Sequence, residues 1–370
     1  MNIKTAYSTN KAPNGVAAEI KDQLEMNGVK AMLFFASSQY DADAVSAAMQ
    51  SQYGDIPTFG CTTAGEIVSG KMLDNSVVGM AFNGRIIEDM KIAVLKNISE
   101  NVKDAVDEAF KSFEAYYNTK MADMDFRKYV GIILIDGLAG AEEQIMDQIG
   151  DKSNVMFIGG SAGDDVQFVK THVFAEGKAY SNAAVLVLIK AATAFDFIKT
   201  QSFQNLNKVL VATKVDAAKR EVLAFDGRPA VEAYADAVGT SVDAIDEYFM
   251  SNPVGLMTGD EPYVRSPQRV EGSGIVFYCN VLEGMELSLL QSGDIVGDTR
   301  RALDDKLKTF GPVSGIINFH CILRTLELKN KSLTADYGLA FKDVPTVGFS
   351  TYGEEFLGHI NQTSTMLVFK

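Results

Sequence analysis

Three short glycine-containing turns, each preceded by an apolar run, constrain the fold of this chain more than any other feature. Residues 60–66 read Gly-Cys-Thr-Thr-Ala-Gly-Glu, and residues 348–354 read Gly-Phe-Ser-Thr-Tyr-Gly-Glu in the same register. Residues 159–164 read Gly-Gly-Ser-Ala-Gly-Asp and are one residue shorter. Gly at a strand end permits positive φ or close backbone approach, while Ser and Thr hydrogen-bond nearby N–H groups. The pattern predicts an internal repeat in which Gly65 and Gly353 are equivalent.

A second apolar run precedes each of these turns in the chain. The runs at 32–35, 132–135 and 316–319 lie about 25 to 30 residues upstream, which is enough for a crossover between parallel strands. We therefore predict at least two, and in our interpretation three, strand-crossover-strand-turn units. The fold class is α/β with α+β mixing, in two closely packed halves with mixed β-sheets.

The pattern between the turns predicts further elements. Helices are expected at 13–27, from Asp41 to about Gly54, at 99–117 and from Ser241 to Met250. Residues 166–174 alternate at strand period, and antiparallel hairpins should dominate 166–213. No Pro- or Ser-rich linker divides the chain, so we place the boundary between regions 1–215 and 216–370 without a flexible connection.

Charge and cysteine content limit the classes of partner and the compartment. The chain of 370 residues has a formal net charge of −14 and no block of Lys or Arg, which argues against nucleic acid or an anionic membrane. The N-terminus lacks the apolar core of a signal peptide, and no window reaches 18 apolar residues. Three widely spaced cysteines fit a reducing cytoplasm and exclude a Cys-only tetrahedral zinc site. We expect a cytoplasmic protein.

The ordered set of motifs resembles the FIST domain proteins, a bacterial family with an N-terminal and a C-terminal FIST region. The resemblance rests on the turns at 60–66 and 159–164, Phe-Asp-Gly-Arg-Pro-Ala at 225–230, Phe-His-Cys-Ile-Leu-Arg at 319–324, and 348–358. It covers nearly the whole chain and assigns 1–215 to the N-terminal region and 216–370 to the C-terminal region.

That resemblance implies a sensory domain that binds a small molecule such as an amino acid. Family members signal through enzymes or receptors, so the expected partner is a histidine kinase, a cyclic-dinucleotide enzyme or a chemoreceptor. Because this chain ends at Lys370 without such a domain, its output is expected to pass through a separate protein. A haem-binding subset of the family resembles nitric oxide sensors, and this is the alternative function.

The candidate ligand site lies at the glycine turns, because ligands of α/β sheets bind outside the carboxyl ends of strands. Hydroxyl groups and backbone N–H groups would hold an anionic part, Arg324 would add a fixed cation, and the acids would take an ammonium group. Alternatively, the acids cap their own loops, and Arg324 forms a structural ion pair. The predicted ligand-binding residues are Cys61, Thr62, Thr63, Glu66, Ser161, Cys321, Arg324, Ser350, Thr351 and Glu354.

The sequence also contains candidate residues for catalysis and for cofactor binding. Residues 159–163 match G-x-S-x-G, with His320 and His359 downstream, but a strand rather than a helix is expected next, and Thr63 and Thr351 are taken to match Ser161. Cys61 is a conceivable thiol nucleophile or a packed residue. We expect that the protein is not an enzyme and that it binds neither a metal nor a cofactor. In the haem alternative, His320 or His359 would be the axial ligand, although each is also explained as a structural histidine.

Overall fold

One six-stranded arrangement occurs three times in this protein. The computed structural model describes residues 2–370. Two compact units are present. The main unit contains residues 2–200, Thr299–His359 and Ser364–Lys370, and the inserted unit contains Gln201–Asp298 and Ile360–Thr363. The three repeats lie in the main unit, except for residues 295–298 and Ile360 of the third.

The first two repeats are continuous in sequence. Repeat 1 consists of β1 (Ile3–Ser8), α1 (Pro13–Gln23), β2 (Val29–Ser37), α2 (Ala42–Tyr53), β3 (Thr58–Thr63), β4 (Glu66–Val68), β5 (Lys71–Leu73) and β6 (Val77–Asn83). Repeat 2 consists of β7 (Ile87–Lys96), α3 (Val102–Tyr117), β8 (Tyr129–Ile135), α4 (Glu142–Gly150), β9 (Phe157–Ser161), β10 (Val173–Ala175), β11 (Lys178–Tyr180) and β12 (Ala183–Ala191).

The third repeat starts with β13 (Phe195–Thr200) and is then interrupted in sequence by the inserted unit. The insertion contains β14 (Phe203–Asp216), β15 (Glu221–Phe225), β16 (Arg228–Pro229), α5 (Ala230–Val238), β17 (Val254–Thr258), β18 (Glu261–Arg265), β19 (Pro267–Glu271), β20 (Gly274–Phe277) and β21 (Glu286–Ser292). Repeat 3 resumes with α6 (Ile295–Phe310), β22 (Gly315–Cys321), α7 (Ile322–Asn330), α8 (Thr334–Leu339), β23 (Thr346–Thr351), β24 (Glu354–Phe356), β25 (His359–Ile360) and β26 (Ser364–Phe369).

The three sheets of the main unit have the same order of strands. The orders are β1-β6-β2-β3-β10-β11, β7-β12-β8-β9-β24-β25 and β13-β26-β22-β23-β4-β5. The central pair is parallel in each sheet, and the pairs made by its outer neighbours are antiparallel. The last two strands of every sheet come from a different repeat. Hairpin β4-β5 of repeat 1 completes the sheet of repeat 3, hairpin β24-β25 of repeat 3 completes the sheet of repeat 2, and hairpin β10-β11 of repeat 2 completes the sheet of repeat 1.

A single apolar cluster joins the three sheets. It contains alternate residues of each parallel pair, including Leu33, Ile132 and Ile317, because side chains on a strand alternate between its two faces. The rings of Phe35 and Phe349 belong to different sheets and have centroids 4.5 Å apart. The opposite face of each sheet packs against its own helices, as clusters in repeats 1 and 2 show.

The local signals in the sequence explain the main helix boundaries. Asp41 accepts a 2.7 Å hydrogen bond from the N–H of Ala44, which caps α2 as predicted. Asn101 caps α3 in the same way, so this helix starts at Val102 and not at residue 99. The helix predicted at 13–27 ends at Gln23.

The inserted unit has a sheet and a core of its own. Its strands run in the order β18-β17-β21-β14-β15-β20-β19, with β16 beside β15, and the pairs in it are antiparallel. Helix α5 contributes Val231 and Tyr234 to the apolar cluster of this unit.

The mixed α/β class with mixed sheets and internal repeats is confirmed, while several local predictions are wrong. Strand β10 covers only Val173–Ala175 of the predicted 166–174, since Asp165, Val166 and Phe168 have positive φ and cannot continue a strand. Residues Val242–Tyr248 form a 3₁₀ helix where an α-helix is predicted. The predicted boundary at residue 215 lies within β14, one residue before its end at Asp216.

Across residues 2–370, no helix combines the length and the apolar content needed to cross a membrane.

Candidate functional site

Gly60, Gly159 and Gly348 occupy the same position in the three parallel strand pairs. A Cβ atom at these positions would lie 1.7, 1.7 and 2.2 Å from a carbonyl oxygen of the neighbouring strand, belonging to Phe34, Ile133 and Asn318 respectively. Only glycine permits so close an approach. The three glycines therefore fix the alignment of the repeats.

Backbone hydrogen bonds bring the three glycine turns together. The N–H groups of Thr62, Ser161 and Ser350 donate to the carbonyls of His172, Gly353 and Gly65, at 2.8 to 2.9 Å. The carbonyls of the same three residues accept from Gly163, Tyr352 and Ala64, at 3.0 to 3.2 Å. Each turn thus bonds to both of the others in cyclic order.

This alignment places Gly65 and Gly353 at equivalent positions, as predicted. It also corrects the match made for Ser161, which corresponds to Thr62 and Ser350 and not to Thr63 and Thr351. The sequence comparison was misled because the turn at 159–164 is one residue shorter. Aligning the first glycine of each turn removes the error.

The acids Glu66 and Glu354 cap their own turns. Thr63 Oγ1 donates to Glu66, whose second oxygen accepts from the N–H and hydroxyl of Ser76 at 3.0 and 2.6 Å. In the equivalent turn, Thr351 Oγ1 donates to Glu354 at 2.5 Å. Both carboxyl groups are buried, and this geometry matches the capping alternative and not an ammonium site.

Burial raises the pKa of Glu66 to about 8, against the opposing effect of the hydrogen bonds from Ser76 and Thr63. The folded state therefore holds a proton that the unfolded state loses above pH 4.5. We expect the free energy of unfolding to fall by up to about 1.4 kcal/mol per pH unit between these two pKa values. Glu66→Gln should flatten that part of the profile in urea titrations, whereas the exposed Glu25→Gln should not. An unchanged slope in Glu66→Gln would show that this carboxyl is already ionised.

The other residues predicted at the turns are buried as well. Cys61 belongs to the core shared by the three sheets, and burial raises the pKa of its thiol well above the usual value. Thr62 Oγ1 accepts from the N–H of His172 at 2.9 Å, and Ser350 Oγ contacts Thr325 Oγ1 at 2.7 Å. Cys321 is buried at the junction of β22 and α7. These residues build the framework of the turns.

The helix-facing side of the third repeat differs from that of the other two. In repeats 1 and 2 the two positions at the end of the first parallel strand are apolar, with Phe34 and Ala36 in one and Ile133 and Ile135 in the other. The register of the strand pairs places Asn318 and His320 at these positions in repeat 3. The fold does not require polar groups here, so their presence calls for another explanation.

Asn318 and His320 belong to a buried hydrogen-bond network. Ser364 Oγ donates to Asn318 Oδ1 at 2.7 Å, and Asn318 Nδ2 donates to Tyr337 Oη at 3.2 Å. Tyr337 Oη lies 2.9 Å from His320 Nδ1. Because this oxygen already accepts from Asn318, its own hydroxyl proton is free to be donated to His320 Nδ1. The imidazole proton then resides on His320 Nε2, which is buried and has no partner among residues 2–370.

Arg324, in the first turn of α7, is the largest fully buried side chain described. Its Nη2 donates to Thr299 Oγ1 at 3.2 Å and to Thr200 Oγ1 at 3.5 Å. Its Nε and Nη1 have no acceptor within the described part of the chain, and no carboxylate there pairs with it. The predicted structural ion pair is therefore absent from residues 2–370.

The side chains of His320 and Arg324 are electrostatically coupled. Burial, together with the charge of Arg324, holds the pKa of His320 well below its usual range. The imidazole is neutral at physiological pH, so its Nε2–H is a donor that adds no second positive charge. We call Arg324, His320 and their hydrogen-bond partners the Arg324 cluster.

The haem alternative needs a histidine nitrogen that an iron porphyrin can reach. His320 Nε2 is completely buried, and His359 is also buried and forms an ion pair with Glu355. Neither imidazole presents an open face to a macrocycle, so these residues do not fit haem in this conformation.

Ser161 lies beside two carboxylates. Its Oγ is 3.4 Å from Glu142 Oε1 and 3.5 Å from Glu355 Oε1, and Glu355 Oε1 is 3.0 Å from His359 Nδ1. The imidazole bonds to the acid and not to the serine, so the order needed for a hydrolase triad is not formed. Burial lowers the pKa of His359. The charge of Glu355 and the hydrogen bond to it have the larger, opposite effect, so the pKa is raised to about 10.

Sequence reasoning missed several polar residues around Arg324 and around Ser161. They are Asn318, Tyr337, Ser364, Thr200 and Thr299 around Arg324, and Glu142 and Glu355 around Ser161. Comparison of repeats 1 and 3 at equal distance from the first glycine would have identified Glu355, which matches Ile67. It would not have identified Asn318, because the first parallel strand of repeat 3 lies a few residues farther from its glycine than in the other two repeats. The others come from elements that the sequence pattern does not align.

The comparisons with known proteins agree with the fold. The profile of the FIST N domain matches residues 30–228, and that of the FIST C domain matches residues 230–356. The chain belongs to the FIST domain family. FIST domains are sensory, ligand-binding modules of signalling proteins.

A relative of this FIST protein is an uncharacterized protein of Methanocaldococcus jannaschii, 24% identical over 319 residues. The match covers 80% of this chain and 61% of the length of that relative.

Proposed function

We propose that this FIST protein is a sensory protein that binds a small anionic or zwitterionic metabolite, such as an amino acid, without catalysis. Arg324 and His320 are the primary contacts for the anionic part of the ligand. The observation that carries this proposal is the burial of Arg324 without any carboxylate partner in residues 2–370. The glycine turns hold these elements in place and are not themselves the principal contacts.

Energetics support an anion beside Arg324. An unsatisfied buried donor costs about 1 to 3 kcal/mol, and a buried charge costs more unless it is paired. Arg324 leaves two nitrogens unsatisfied, and His320 leaves a third. A carboxylate accepts two parallel N–H bonds from a guanidinium group and would neutralise its charge. Such a ligand turns a destabilising feature into a binding site.

The same geometry supports binding without haem and without catalysis. The thiol of Cys61 is buried with a raised pKa, and Ser161 has no imidazole base. Neither group has the activation that nucleophilic catalysis needs. A purified protein that shows no Soret band after incubation with hemin would agree with this proposal. A stable Soret band that Ala replacement of His320 or His359 removes would favour the gas-sensor alternative.

We propose a cytoplasmic location and an output through a separate signalling protein, such as a histidine kinase, a cyclic-dinucleotide enzyme or a chemoreceptor. The three cysteines are free thiols, which suits a reducing compartment. The net charge of −14 supports a small molecule or a protein as partner and not nucleic acid.

A thermal-shift screen of amino acids and other small carboxylates tests the proposed function. A compound at about one hundred times its dissociation constant should stabilise the protein by roughly 2.7 kcal/mol, which raises the melting temperature by several degrees. The amides of the same compounds serve as controls, because they lack the carboxylate that would neutralise Arg324. If acids and amides have the same effect throughout the screen, the anion site is wrong.

A further inference from the structure

A cavity of about 220 Å³ lies beside the glycine turn of repeat 3, bordered by hairpin β4-β5, the helices α7 and α8, and β23. Pockets that hold drug-sized molecules measure about 300 to 1,000 Å³, so this cavity suits a smaller ligand. The proposed function makes no use of it. The residues that line it belong to the main unit and include Met72, Asp74, Thr325, Lys329, Thr334 and Ser350.

The repetition of the sheets shows what fills the equivalent place in repeats 1 and 2. His172, Gly353 and Gly65 accept the equivalent backbone hydrogen bond from the three turns, so they hold the same position in the sheets of repeats 1, 2 and 3. His172 itself carries an imidazole at this position. At Gly353 the imidazole of His359 takes the space, with its Cε1 2.0 Å from the point where a Cβ would lie. Two of the three sheets therefore have an imidazole here.

The described residues leave the corresponding space in the third sheet without an imidazole. Gly65 has a φ of +126°, a conformation that disfavours any side chain at this position. The atoms nearest to the point where its Cβ would lie are Ser350 Oγ at 3.1 Å and Asp74 Oδ1 at 3.5 Å. Because Ser350 and Asp74 also line the cavity, the cavity lies at the place that a histidine ring takes in the other two sheets.

The polar groups of the cavity suit a neutral ring with one donor and one acceptor. Lys329 Nζ and Asp74 Oδ1 form an ion pair at 2.7 Å, so the charges of the wall balance each other, and the carboxylate keeps a second oxygen as an acceptor. Thr325 Oγ1 and Ser350 Oγ are 2.7 Å apart, and one donates to the other, which leaves one hydroxyl proton for a ligand. A neutral imidazole has one N–H donor and one unprotonated nitrogen that accepts.

We propose that this cavity binds a small neutral nitrogen heterocycle of the imidazole type. The N–H of the ring donates to Asp74, and its second nitrogen accepts from the hydroxyl pair of Thr325 and Ser350. Met72 borders the same cavity, and a thioether contacts an aromatic ring favourably. The site shares helix α7 with the Arg324 cluster but none of its residues, and its ligand needs no carboxylate. It therefore does not depend on the proposed anion site.

Imidazole at about pH 8.5 is the probe, because its ring is then mostly neutral, and 1-methylimidazole is its control because it lacks the N–H donor. At about 50 mM, imidazole should raise the melting temperature of the full chain by at least about 1 °C more than 1-methylimidazole does. Asp74→Ala should abolish this difference. The matched variant Asp305→Ala, which removes another exposed aspartate that pairs with a lysine, should retain it.

A second variant keeps the test valid if the loss of Asp74 disturbs the hairpin. Thr334→Leu narrows the cavity at a partly buried position and leaves the ion pair and the hydroxyl pair intact. It should melt at nearly the same temperature as the natural protein and should not respond to imidazole. Equal effects of imidazole and 1-methylimidazole on the natural protein would overturn the heterocycle site, as would an imidazole effect that survives in Thr334→Leu. Neither result would bear on the carboxylate screen, so the two proposals fail independently.

Discussion

Replacing Arg324 with Met should leave the unliganded protein at least as stable as before and should weaken its response to small carboxylates. Met fills much of the volume of the Arg stem, while it removes a buried charge that has two unsatisfied nitrogens. Replacement of a buried ion pair by well-packed apolar residues is often neutral or stabilising by about 1 to 4 kcal/mol, and an unpaired buried charge is less favourable than a paired one. We therefore expect the midpoint of urea unfolding to stay unchanged or to rise.

The binding of a carboxylate by Arg324→Met should weaken by about 1.5 to 3 kcal/mol, which is roughly a 10- to 150-fold increase in the dissociation constant. Isothermal titration with the best acid from the screen measures this change. Arg300→Met is the control, because Arg300 lies exposed on α6 and donates only to a backbone carbonyl, that of Asp336. A loss of several kcal/mol of stability with unchanged affinity would make Arg324 a structural residue.

Substitution of Gly159 by Ala should destabilise the protein by about 4 kcal/mol or more, which is among the largest effects of a single change. The added Cβ would lie 1.7 Å from the carbonyl oxygen of Ile133, and backbone atoms in a paired strand cannot move aside cheaply. Gly60→Ala should behave alike, since its Cβ would meet the carbonyl of Phe34 at the same distance.

Gly150→Ala is the matched control for this prediction. Gly150 ends α4, and no atom lies within 4 Å of the position that its Cβ would take. Alanine there should be neutral or should stabilise by up to about 1 kcal/mol, because it restricts the unfolded chain and favours the helix. Similar unfolding free energies for Gly159→Ala and Gly150→Ala would mean that the strands can separate at this point, contrary to the packing described.

The sequence contained enough information to predict the repeats and their parallel strand pairs. Apolar runs and glycines report local geometry, and both are visible at positions 60, 159 and 348. The exchange of hairpins could not be predicted in this way. Strand β4 has only three residues, and its pairing with β23 joins residues 279 to 283 positions apart in the chain, a contact that no local pattern encodes.

The candidate site was predicted in part. The sequence singled out Arg324 as a ligand contact and considered His320 only as an axial ligand in the haem alternative, and it attached equal weight to the turn residues Thr63, Glu66 and Glu354. A Thr and an acid three residues apart can satisfy each other, as Thr63 and Glu66 do, and composition does not distinguish this from a ligand contact. What separates Arg324 from them is the lack of an acceptor, which only the folded arrangement reveals.

The cyclic exchange of hairpins has a consequence for the synthesis of the protein on the ribosome. Once repeat 2 has emerged, its hairpin can complete the first sheet, but the hairpin β4-β5 must wait for β23 and the edge of β9 must wait for β24. Two strand edges therefore stay open until residues 346–370 have been made. Exposed edges of this kind invite pairing with other chains. A nascent chain stalled before β23 should consequently depend on chaperones, and the N-terminal FIST region expressed alone should aggregate.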